Sequence, residues 1–134
     1  MTQIESVFEN VEESKEKVFA FLSDLNNHQK LMPNQVSDWW SNNDEAKMRI
    51  QGLGALHLKK SETKENSYLK ITPVGATPVD LFLEWVIEPE DGYCKVKTII
   101  NAELNMMMRM VATKPLQNLA DFMAGRVNKA IKEI

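Results

Sequence analysis

Cys94 is the one cysteine in 134 residues. No internal disulfide can form, and such sparse cysteine fits a reducing cytoplasm. There are only two histidines, His28 and His57, far apart in sequence. A metal site needs three or four ligands, often at short spacings, so no metal ligand set is expected. No apolar run approaches the ~18 residues of a membrane span, and the segment 1–10 carries acids where a signal peptide has an apolar core. Glycine is scarce: Gly52-Leu53-Gly54 is too short for a phosphate loop and precedes a strand, not a helix. Positive charge is not concentrated. The 16 Lys and Arg are interleaved with 19 Asp and Glu, for a net charge of -3, so nucleic acid is not an expected partner. These absences point to a cytoplasmic protein without metal, cofactor or membrane span.

What is present reads as a globular domain. Of the residues, 43% are hydrophobic and 26% charged. A chain of this length buries about two-thirds of its unfolded surface, enough for its own core. No repeat or linker interrupts it, so residues 1–134 are expected to form a single domain.

The strongest periodicity lies at the end. Leu116, Leu119, Ala120, Met123, Val127, Ala130, Ile131 and Ile134 share one helical face, opposite Gln117, Asp121, Asn128 and Lys132. Pro115 lacks a backbone N–H and is best tolerated in a first turn. The spacing therefore predicts a helix capped by Thr113, with 106–111 as a separate turn or short helix. At ~1.5 Å per residue that helix is roughly 30 Å long.

Earlier segments are mostly strand. Residues 3–12 alternate loosely and read as one strand. Ser14 caps a helix whose inner face is Val18, Phe21, Leu22 and Leu25, and a shorter helical turn over 28–32 ends before Pro33. Alternating strands follow around Trp39-Trp40, Met48, Leu58, Leu69-Ile71, Leu81-Leu83-Trp85 and Val96-Thr98-Ile100, joined by turns such as Asn42-Asn43-Asp44 and Glu90-Asp91-Gly92. Neighbouring strands joined this way are antiparallel. One face of the sheet is apolar and needs cover, which the last helix supplies.

A strand, a helix reading Val18-Phe19-Ala20-Phe21-Leu22-Ser23-Asp24, Pro33, a strand meander and a long final helix resemble the START/SRPBCC superfamily along essentially the whole chain. Gly52-Leu53-Gly54, and Leu104-Asn105-Met106 running into Lys114-Pro115-Leu116-Gln117-Asn118, resemble a small bacterial branch of it. The resemblance implies an α+β helix-grip fold: an antiparallel sheet of about six or seven strands wrapped around the C-terminal helix, with two short helices after the first strand. Members of the superfamily bind lipids, sterols, polyketides, hormones or quinones, or catalyse cyclisation, between helix and sheet. Others bind partner proteins. No catalytic motif is shared across the superfamily, so no catalytic residue is implied. The tryptophan-rich middle strands of the Hsp90-activator-like branch are reduced here to Trp85, which disfavours a chaperone-cofactor role.

Alternation gives the expected cavity wall: Leu58, Leu69, Ile71, Leu81, Leu83, Trp85, Val96, Thr98, Ile100, Met110, Leu119 and Met123. The wall has almost no titratable group. That favours non-covalent binding of a small hydrophobic or amphipathic ligand, lipid-, quinone- or polyketide-like, over the alternative of a cyclase or dehydratase. A protein-interaction module using exposed tryptophan and methionine is the third reading. Both histidines are expected at the surface. Cys94 is expected to be buried and inert, and Asp80, Glu84 and Glu103 to face solvent. Either Trp39 or Trp40 must point inward. Met106, Met107, Met108 and Met110 either pack the corner before the helix or line a cavity mouth, where Arg109 could meet an anionic ligand head.

Overall fold

The structure, a computed structural model, describes residues 1–133. Ile134, which helical periodicity puts on the apolar face, lies outside the described residues.

Eight antiparallel strands form one sheet: β1 (Thr2–Glu5), β2 (Glu9–Val11), β3 (Val36–Ser41), β4 (Glu45–Ile50), β5 (Gly54–Lys64), β6 (Tyr68–Pro73), β7 (Leu81–Pro89) and β8 (Cys94–Ala102). The order is β1-β8-β7-β6-β5-β4-β3, with β2 also paired to β8. Between β2 and β3 lie α1 (Lys15–Ser23) and a 3-10 helix (Leu25–Leu31). The long helix α2 (Met106–Ile131) closes the chain.

Local chemistry sets the boundaries. Ser14 Oγ accepts a hydrogen bond from the Lys17 N–H at 3.2 Å, which starts α1. The Asp24 carboxylate does the same for the 3-10 helix by accepting from the Asn26 N–H. The predicted single strand over 3–12 is broken. Strand pairing stops at Ser6. Its N–H still donates to the Thr98 carbonyl at 3.0 Å, but the Thr98 N–H donates to Ser6 Oγ where a strand carbonyl would otherwise serve, and Val7 and Phe8 lie outside the strands. That break raises the strand count to eight.

The start of the last helix also differs from expectation. Asn105, not Thr113, is the cap: its side chain accepts from the Met108 N–H at 2.8 Å, and α2 then runs without interruption through Pro115. The methionines that follow Asn105 are good helix formers. Thr113 sits mid-helix and donates its hydroxyl to the Arg109 carbonyl at 2.6 Å. Pro115 leaves the Val111 carbonyl without its helical donor. Val111 is exposed, so water can serve that carbonyl.

The core lies between α2 and the sheet. Leu116, Leu119, Met123 and Val127 are buried, as are Leu81, Leu83, Trp85, Val96 and Ile100. Fully burying each large aliphatic side chain of this set is worth about 1.5–3 kcal/mol. Ala120, Ala124 and Ala130 are buried too, and their small side chains let the helix sit close. In β3 the alternation slips. The register shifts between Ser37 and Trp40, and Asp38 takes a φ of 55°. This bulge puts Trp39 on the same side as Val36, packed against the core, and leaves Trp40 outside under the Lys47 ammonium.

Candidate functional site

The interior between α2 and the sheet holds a small apolar cavity of about 20 Å³. Met48 and Ile50 of β4, Leu58 of β5, Leu81 and Leu83 of β7 and Ile100 of β8 form its floor. Leu119 and Met123 of α2 form the roof, and Met32 and Val36 close one end. A second space of about 20 Å³ adjoins it, bounded by Leu25, His28, Trp39, Ala46 and Ile71. Met32, Met48, Leu58 and Leu83 line both spaces. Each is about the volume of one water-sized probe, whereas small-molecule sites are typically ~300–1,000 Å³. In this conformation the core is therefore packed.

His28 is the one titratable side chain on these walls, and its burial overturns the surface position expected for it. The cause is Trp85. A buried indole N–H needs an acceptor, and Trp85 Nε1 donates to His28 Nε2 at 3.1 Å. The rings meet edge-on, with centroids 6.0 Å apart. With Nε2 accepting, the neutral ring carries its proton on Nδ1. Nδ1 makes no hydrogen bond, although the Asp24 backbone lies close enough to act on the ring. Burial pushes the His28 pKa down from 6.5 to about 4, with the Asp24 backbone and carboxylate opposing weakly. His28 is thus a neutral, apolar-packed ring at neutral pH. A tryptophan on the inward face of a strand was the available signal that a polar partner must be buried beside it.

The remaining polar groups lie elsewhere. His57 is half-buried on the sheet's outer side, with Nε2 2.7 Å from Glu45. Glu84, expected to face solvent, is instead half-buried between the Tyr68 hydroxyl and Asn101 Nδ2, both of which donate to it. Burial and the neighbouring Glu84 carboxylate push the Tyr68 phenol upward, so it stays protonated. Cys94 is buried and its thiol pKa is raised by desolvation. Among the described residues no group of three His, Cys, Asp or Glu is placed to hold a metal ion. No helix among them is long and apolar enough to cross a membrane.

No family model matches the sequence, and no curated protein matches it. Solved structures do match the fold. The KanY protein solution structure superposes with a TM-score of 0.78 at 12% identity, covering 98% of this chain and 99% of that one. A START superfamily protein from Mycobacterium smegmatis gives 0.68 at 14% identity, covering 95% and 97%. This chain has the START/SRPBCC helix-grip fold. A Thalictrum norcoclaurine synthase mutant, solved with a transition-state analogue, gives 0.73 at 12% identity, covering 98% and 94%.

Within the helix-grip frame the expected wall residues separate into groups. Leu58, Leu81, Leu83, Ile100, Leu119 and Met123 line the first space, and Ile71 lines the second together with Leu58 and Leu83. Leu69, Trp85, Val96 and Thr98 are buried but line neither. Met110 is a correction: it is 82% exposed and points away from the interior. Because α2 begins at Met106, Met110 falls on the outer face of its second turn. Met32, Val36, Met48 and Ile50 were not in the expected wall; Met32 and Val36 flank a proline loop where no period applies.

Proposed function

We propose that this protein binds a small, neutral, apolar or weakly amphipathic molecule non-covalently between α2 and the sheet. Lipid-, quinone- and polyketide-like compounds are the chemical classes that fit. One observation carries the reading: the two apolar spaces adjoin, and two of the four side chains that line both, Met32 and Met48, are methionines. Methionine side chains are unbranched and repack readily. Repacking of these two side chains is expected to join the spaces into one slot between Leu119 and His28. The slot's walls hold no acid or base except a neutral imidazole, which supports binding over the cyclase or dehydratase alternative. That norcoclaurine synthase was solved with a transition-state analogue supports the capacity of this fold to take up a small organic molecule.

The test is fluorescence titration with 1-aminoanthracene, a neutral apolar probe, followed by a panel of quinones and fatty acids. Met48→Ala is expected to bind the probe more tightly than wild type, because it opens room on a wall that both spaces share. Leu83→Arg is expected to abolish binding by placing a charge among apolar groups. Saturable binding by neither the folded wild type nor folded Met48→Ala would sink the proposal.

A further inference from the structure

Four large apolar side chains stand in water on the first two turns of α2. Met106, Met107 and Met110 are 73%, 76% and 82% exposed, and Val111 is 69% exposed. Their spacing of i, i+1, i+4 and i+5 gathers them on one helical face. The opposite face of the same turns carries half-buried Met108 and buried Ala112. The helix start is therefore apolar on both sides, a pattern of segments that are covered on all sides. Clustered exposed apolar groups of this kind mark an interaction site.

Charge selects the partner. From Asn105 to Ala120 the sequence has no Asp or Glu, although the chain as a whole is acidic. Arg109 and Lys114 lie beside the methionines, and neither is in an ion pair among the described residues. A second copy presenting this same patch would bring like charges together, which disfavours self-pairing. An anionic partner is attracted instead. The patch is a convex helix end, not a groove, so it suits a deformable surface into which flexible side chains sink. A groove of about 120 Å³ alongside, bounded by Leu53, Val111, Pro115 and Leu116, includes Ile50, which also lines the internal cavity.

We propose that the start of α2 docks on an anionic lipid bilayer, with Met106, Met107, Met110 and Val111 in the acyl boundary and Arg109 and Lys114 at headgroup level. The docking does not depend on what the cavity binds. It is shallow and reversible, because only two cations contribute.

The experiment is co-sedimentation of the full chain with vesicles of phosphatidylcholine alone or mixed with phosphatidylglycerol. Wild type is expected to bind the mixed vesicles, more weakly as salt rises, and to leave pure phosphatidylcholine largely unbound. Arg109→Gln with Lys114→Gln is expected to lower partition by about thirtyfold, from ~1 kcal/mol per cation. Met107→Ser with Met110→Ser changes exposed positions, so the fold is retained, and binding is expected to drop at least about tenfold. No binding of wild type to anionic vesicles at low salt would overturn the proposal. Equal binding by the folded methionine variant would do the same. So would a methionine-dependent dimer or protein complex found without vesicle binding, because the patch would then serve a protein partner.

Discussion

The buried His28–Trp85 pair makes the protein's stability depend on pH in a calculable way. In the unfolded chain the imidazole takes up a proton as pH falls through 6.5; in the native chain it resists until about 4. Throughout that window the unfolded state binds more protons, so stability must fall as pH falls. Each pKa unit is worth ~1.36 kcal/mol, so the gap amounts to about 3 kcal/mol, lost progressively between pH 6.5 and about 4 and levelling off below. Against a typical domain stability of ~5–15 kcal/mol that is a large fraction. The assay is urea denaturation across this range for wild type and His28→Gln. Glutamine cannot titrate but still offers Trp85 Nε1 an oxygen acceptor. Carboxylates titrate in both proteins, so the difference between the two pH profiles isolates the imidazole. Wild type is expected to lose about 3 kcal/mol more than the variant. Parallel profiles, or a His28 resonance titrating near 6.5 in the folded protein, would refute the reasoning.

Two substitutions in α2 follow from its geometry. Pro115→Ala restores a donor to the Val111 carbonyl and should raise stability by ~1–3 kcal/mol in urea melts; a loss would mean that packing of the proline ring outweighs the missing hydrogen bond. Gly125→Ala places a methyl no closer than 3.9 Å to the Glu9 carboxyl, so it should stabilise by about 0.5–1 kcal/mol through helix propensity; an unchanged or lowered midpoint would contradict that.

Much of the fold was legible because periodicity reports a face. The alternation of Leu81, Leu83 and Trp85, and the spacing of Leu116, Leu119 and Met123, identified the two apolar surfaces that meet. The start of α2 was misread because Pro115 is a strong local signal for a first turn. Asn105 capping and a run of helix-forming methionines overrode it, helped by an exposed Val111 carbonyl that water can satisfy.

What the amino-acid order determined alone is most of the elements and, where the period is unbroken, the side each residue takes. The break at Ser6–Phe8, the start of α2 and the bulge in β3 were not among them. A period of 2 or 3.6 is a property of a single segment and needs no partner to define it. Burial is different, because it depends on what other segments cover. Only the tertiary structure decided that His28, in a short helical segment with no period of its own, packs under Trp85. It also decided that a bulge at Asp38 turns Trp39 inward, and that Met110 faces out. The size of the cavity belongs to the same class. It is what remains after side chains from β4, β5, β7, β8 and α2 have packed together, here two spaces of about 20 Å³ each that share Met32, Met48, Leu58 and Leu83 as walls.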